Sequence, residues 1–144
     1  MARATQDDDR DLLRAAQFDQ EYLDYWTNLF NDEDKALAPH FRRLMIKLWE
    51  YDKKRLVMHK SAACRLIPVQ HADSAKKYVN LIEQKGWIDF IDDPNDKRKT
   101  IVKPSPKLLE LVKKHLLVSA GKIKTTAAEL ATETVSREDS RSAA

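Results

Sequence analysis

At 144 residues, with 34% of them charged, the chain can hold one domain with a real core and some peripheral helix, but not two full domains. Its two glycines, Gly86 and Gly121, in a background rich in Leu, Ala and Lys, imply a mostly helical protein, because helices need few left-handed positions. No stretch approaches ~20 apolar residues, which excludes a membrane-spanning helix, and the single cysteine, Cys64, cannot close an internal disulfide.

The first ten residues carry three consecutive acids and no apolar run, so they do not read as a signal peptide, and the expected location is cytoplasmic. The net charge of +3 conceals a segregation of sign. Residues 1–34 balance at −7, residues 35–124 at +12 and residues 125–144 at −2. A positive block between acidic ends is the electrostatic footprint of a polyanion binder, against the plainer reading of a solvated lysine-rich surface.

From Asp7 to Phe30, apolar residues recur at three- and four-residue steps through Leu12, Ala15, Ala16, Tyr22, Leu23, Trp26 and Leu29. That spacing predicts a long amphipathic helix, with Asp7, Asp8 and Asp9 at its positive end. Asn31 to Asp34 is a polar break with capping residues for a second helix, which starts at Asp34 or Pro39 and ends near Lys53. Its buried stripe is Phe41, Leu44, Met45, Leu48 and Trp49. Leu56-Val57-Met58 predicts a short strand. His59 to Ile67 then reads as a short helix, with Ser61 as a cap and Pro68 as its end. Ala72 to Lys85 predicts the next helix, with Ala75, Tyr78, Val79 and Ile82 inward and Gly86 as its stop. Two helices joined by a short turn, the second amphipathic and basic, describe a helix-turn-helix.

Trp87 to Ile91 alternates as a strand, Asp92 to Asp96 is dense turn chemistry, and Lys97 to Lys103 is a second strand. Ser105 caps a further helix with Pro106 in its first turn. The fold class expected is therefore mainly α with a small β-hairpin (α+β): a winged helix-turn-helix with additional N- and C-terminal helices. Past Gly121 the composition thins to Ala, Thr, Ser and charges. Only Ile123, Leu130 and Val135 offer anchors, which predicts a weak helix over about 126–134 and then disorder. The organisation expected is an acidic helix over residues 1–34 serving dimerisation, a DNA-binding domain over 35–118 and a polar tail over 119–144.

Leu81-Ile82-Glu83-Gln84-Lys85-Gly86-Trp87-Ile88, then Asp93-Pro94-Asn95-Asp96-Lys97-Arg98 and Ile101-Val102-Lys103-Pro104-Ser105, resemble the MarR family of bacterial transcriptional regulators. In that family the recognition helix ends in "L-E-x-K-G-L-[IV]" and the wing reads "D-P-x-D-[RK]-R". The resemblance covers roughly residues 35–118. It implies a homodimer joined by helices from both chain ends, bound to a palindromic double-stranded DNA operator. It also implies that Asp96 pairs with Arg98 to order the wing. Two departures stand out. Where the family turn has a "G-[LVI]-S" core, this chain has Ile67-Pro68-Val69-Gln70-His71-Ala72-Asp73, about a residue longer. The C-terminal part also lacks a strongly apolar closing helix, which shifts dimerisation toward the first helix.

In the recognition helix, Asp73, Ser74, Lys76, Lys77 and Asn80 face outward, preceded by Gln70 and His71. At a major groove Asn, Gln and Lys pair with base edges, while Ser, Lys and backbone amides hold phosphates. The wing offers Asn95, Lys97, Arg98 and Lys99 to the backbone or the minor groove. Lys53, Lys54, Arg55, Lys60 and Ser61 are candidate phosphate contacts around the start of the recognition unit.

Cys64 reads as a small core hydrophobe, with a redox thiol activated by Arg65 as the alternative. His40, His59, His71 and His115 share no ligand spacing with one another or with Cys64, so no metal or other cofactor is expected. The aromatic stripe Phe18, Tyr22, Tyr25, Trp26 and Phe30 reads as packing, with a dimer interface or a cavity for a small aromatic effector as alternatives. No nucleotide loop or nucleophile elbow is present, so an enzyme is not expected. The rivals to a sequence-specific regulator are a winged-helix protein-interaction module and a non-specific architectural or RNA-associated factor.

Overall fold

The computed structural model describes the backbone of residues 2–142 and the side chains of residues 9–131. Asp7, Asp8 and Val135, named above for their side chains, lie outside the latter. The elements in order are α1 (Ala2–Asn28), α2 (Ala38–Lys54), β1 (Met58–His59), α3 (Lys60–Arg65), α4 (Ala72–Gln84), β2 (Ile88–Asp93), β3 (Asp96–Pro104) and α5 (Pro106–Ser142). This is the α+β class expected, with a three-stranded antiparallel sheet in the order β1-β3-β2. No helix of the described residues is long and apolar enough to cross a membrane.

The chain divides into two compact units, residues 1–25 with 115–144, and residues 26–114. The second is the winged helix. Phe41, Leu44, Met45 and Leu48 of α2, Val79 and Ile82 of α4, Ile88 of β2 and Leu108 and Val112 of α5 are all buried. The fully buried Trp26 donates its indole N–H to the carbonyl of Ala38 at 2.8 Å, tying the chain before the inter-helix turn to the start of α2. Phe30 sets its ring 5.1 Å from that of Trp26 and 5.4 Å from that of Trp87.

The second helix is not capped by the acidic run as expected. Its N-cap is Leu37, whose apolar side chain can make no capping bond, and the backbone carbonyl of Asp34 accepts the amides of Leu37 and Ala38. The Asp34 carboxylate is occupied instead by Lys85 Nζ at 2.5 Å.

Two helix ends close with the same pattern of bonds. At α4 the amide of Trp87 reaches the carbonyl of Ile82 across Gly86, whose φ is +82°. At α2 the amide of Leu56 reaches Tyr51 across Arg55, at φ 57°. The latter turn consumes residues 55–57, which displaces β1 from the expected Leu56–Met58 to Met58–His59 and leaves Leu56 and Val57 exposed. At α5 the local reading holds: the Leu108 amide donates to Ser105 Oγ at 3.2 Å, with Pro106 as the first helical residue.

In the other unit, Tyr22 packs edge-on to His115 with centroids 4.9 Å apart, and Tyr25 stacks on it at 5.8 Å. Arg14 pairs with Glu129, and Lys122 lies 3.7 Å from Glu21. The helix of α5 passes through Gly121 and on to Ser142, where the sequence predicts a thinning chain and a disordered end. One glycine costs only about 1 kcal/mol against alanine in a helix. The surrounding Ala, Lys, Glu and Leu are strong helix formers, so nothing local stops the helix.

Candidate nucleic-acid interface

Helix α3 packs against both α4 and β3, so the two helices and the wing strand meet at α3. The link from α3 to α4 runs over residues 66–71, with the Val69 amide donating to Ile67 across Pro68. Helix α4 begins after His71, whose extended backbone (φ −110°, ψ 135°) lets its carbonyl accept the Ala75 amide. The atypical Pro68 turn therefore still leads into a regular helix α4. Ala75, Val79 and Ile82 are buried, and Tyr78 is half-buried, stacking on His40 at 5.2 Å and meeting Phe41 edge-on. The opposite face leaves Gln70, His71, Asp73, Lys76 and Lys77 exposed, while Ser74 and Asn80 are half-buried.

The wing is the β2–β3 hairpin, closed by Pro94-Asn95 between Asp93 and Asp96. Asn95, Lys97, Arg98 and Lys99 are exposed. The family resemblance implies a pairing of Asp96 with Arg98. The contact formed runs to the backbone, with the Arg98 amide donating to Asp96 Oδ1 at 3.0 Å. Arg98 also lines the cleft described below. A second carboxylate, which the sequence places in the wing motif without giving it a role, does more. Asp93 is nearly buried; its Oδ1 accepts the Asn95 amide at 2.9 Å and its Oδ2 meets His59 Nε2 at 2.8 Å. The hydrogen bond from His59, and after it the one from the Asn95 amide, hold the Asp93 carboxyl below the usual carboxylate range.

Between α3, α4 and β3 lies an open cleft of about 400 Å³. Lys60, Ser61 and Cys64 line it from α3, Lys76 from α4, and Arg98, Lys99 and Thr100 from β3, with His59 at its edge. Lys60 also rests its ammonium 4.4 Å from the centre of the Phe90 ring, which fixes its stem against the wing. The structure thus brings Lys60, Ser61, Lys76, Arg98 and Lys99 of the expected set together. It does not bring Lys53, Lys54 and Arg55 into that cleft: they end α2, where Lys54 is paired with Glu50 at 2.9 Å and Lys53 lies over the Trp49 ring. Ser61 is not the cap of α3. That position falls to His59, and Ser61 is the second residue of the helix.

Cys64 is half-buried at the cleft wall rather than in the core. Burial pushes its thiol up, against a smaller opposing pull from Lys60 and Lys76. The cations acting on it are Lys60 and Lys76, so the alternative of a thiol activated by Arg65 gains no support. The rings of Phe18 and Tyr22 stack 5.9 Å apart, and Tyr22 and Tyr25 close on His115. These contacts favour packing over an effector cavity for that part of the aromatic stripe.

No protein-family model matches the sequence, and no curated protein matches it. Solved structures do match the fold. A probable transcriptional regulator from Pseudomonas aeruginosa is 21% identical, with 88% of this chain and 92% of that one aligned at a TM-score of 0.51. A mutant of MarR from E. coli is 16% identical, covering 88% and 86%, at 0.53. The heme sensor protein PefR from Streptococcus agalactiae, in complex with heme, is 17% identical, covering 98% and 90%, at 0.50. The chain shares its fold with these three proteins.

Proposed function

We propose that the chain is a sequence-specific DNA-binding transcriptional regulator that acts as a homodimer. In this reading α4 enters the major groove and the wing lies on the backbone or in the minor groove. The observation that carries it is the gathering of cations from α3, α4 and the wing around one cleft of a winged helix, within a chain whose central block is strongly positive. Gln70, His71, Asp73 and Lys77 are the exposed candidates for base edges, with Ser74 and Asn80 at the flank. Dimerisation is supported by Leu12 and Leu23, exposed on the same side of α1 three turns apart, and by Leu117 and Ile123, exposed on α5.

Selection of bound sequences from a random duplex pool, followed by a gel shift against random competitor, tests the proposal. A recovered palindrome with half-sites about one helical turn apart is the expected result. Binding that random competitor removes equally well returns the architectural reading, and no binding returns the protein-interaction module.

A further inference from the structure

The outward face of α4 carries an acid in an otherwise basic setting. Ala75, Val79 and Ile82 are buried, and helical spacing sets Asp73, Lys77, Asn80 and Gln84 along the stripe opposite them. Asp73 is exposed and belongs to the first turn, the part of a recognition helix that contacts base edges. Lys76 falls to one side of that stripe, at the cation-lined cleft.

Other acids of the domain that lie near cations are held by them: Asp34 by Lys85, Glu50 by Lys47 and Lys54, Asp93 by His59. Asp73 forms no ion pair among the described residues, although Lys76 and Lys77 follow on the same helix. An acid anywhere in the first turn favours the helix through its dipole. That does not explain one on the stripe that faces a duplex, where the phosphates of both strands repel it. An ionised carboxylate only accepts hydrogen bonds. In the major groove the donors are the amino groups of cytosine and adenine, while guanine and thymine present acceptors. Adenine sets its N7 acceptor beside the amino group and cytosine does not, so cytosine is the better match.

We infer that Asp73 is a specificity-determining residue that accepts from the N4 amino group of one cytosine in each half-site and penalises the other bases there. This rests on the DNA-binding reading above and gives one of its candidate residues a base and a sign. Without that cytosine the carboxylate meets acceptors and phosphates with nothing to offset the repulsion, so Asp73 selects by rejection as well as attraction.

The test runs selection from a random duplex pool in parallel on full-length wild type, Asp73→Ala and Asp73→Asn. One position in each half-site should yield cytosine with wild type and no particular base with Asp73→Ala. Asp73→Asn should yield adenine there, because an amide donates to N7 and accepts from the N6 amino group. Replacing that C·G pair by T·A in the selected duplex should weaken wild type about tenfold and Asp73→Ala by less than about twofold. On random duplex Asp73→Ala should bind a few-fold tighter than wild type. If Asp73 serves only the helix end, Asp73→Ala weakens binding to every duplex alike and leaves the recovered bases unchanged, and either result overturns the inference. Failure of wild type to recover any sequence instead removes the parent reading.

Discussion

His59 Nε2 and Asp93 Oδ2 meet at 2.8 Å, fastening the edge strand β1 to the last residue of β2, 34 positions further along the chain. The other oxygen of the same carboxylate holds the Asn95 amide in the hairpin turn. One side chain therefore sets both the root and the tip of the wing. Its pH behaviour follows from the sign of its shift. A carboxyl depressed in the folded state stabilises the fold above its ordinary value of about 4, and the contribution is lost as pH falls through the folded value. Thermal melts should show wild type more stable than Asp93→Asn at about pH 5, with the gap closing as pH falls below about pH 4. A gap that persists unchanged to pH 3 would show that the carboxylate charge is not what matters.

Lys97 is exposed on the wing and lies outside the lining of the cation-lined cleft. Lys97→Ala should weaken DNA binding alike on selected and random duplexes, with the salt slope reduced by at most about 1. Fluorescence anisotropy across a salt series reads both quantities. A loss confined to the selected duplex would assign Lys97 to base reading.

Ser105 is buried and its Oγ accepts the Leu108 amide, so Ser105→Ala leaves a helix-end donor without that acceptor. The cost expected is about 1 kcal/mol by urea denaturation, with Ser105→Thr recovering much of it.

The two glycines should respond in opposite directions. Gly121 lies within α5 with open space around its Cα, so Gly121→Ala should stabilise by up to about 1 kcal/mol. Gly86 sits at φ +82°, where an L side chain is strained, so Gly86→Ala should destabilise by about 1–2 kcal/mol. Melting temperatures of the two variants moving the same way would contradict this.

What could be read in the chain before its fold was known was local. The cap at Ser105, the stop at Gly86 and the hairpin turn each depend on a few adjacent residues with defined backbone preferences; the first two form as expected, and the turn narrows from the expected Asp92–Asp96 to Pro94-Asn95. The His59–Asp93 contact could not be read, because it depends on β1 pairing with β3, and the two-residue β1 carries no periodic signal. The same holds for the cleft: its cations were visible singly, but sequence spacing does not say which of three elements close on one volume. Lys53 and Lys54 looked equivalent to Lys60, yet they fall at the end of α2, away from the cleft. Burial of His115 against two tyrosines was also invisible, since a lone histidine in a Leu- and Lys-rich helix reads as surface.

The ends of α2 and α4 share one bonding geometry but differ in the residue that takes the left-handed turn, Arg55 in the first and Gly86 in the second. An arginine there costs on the order of 1 kcal/mol more than a glycine. Local opening should therefore begin at the seam between α2 and β1 before it reaches the seam between α4 and β2. The Leu56 amide should exchange with solvent deuterium faster than the Trp87 amide, and Arg55→Gly should narrow that difference. The arginine would then act as a built-in loosening of the joint that leads into the recognition unit, giving the wing-side half of the domain a softer attachment than its packed core alone would provide.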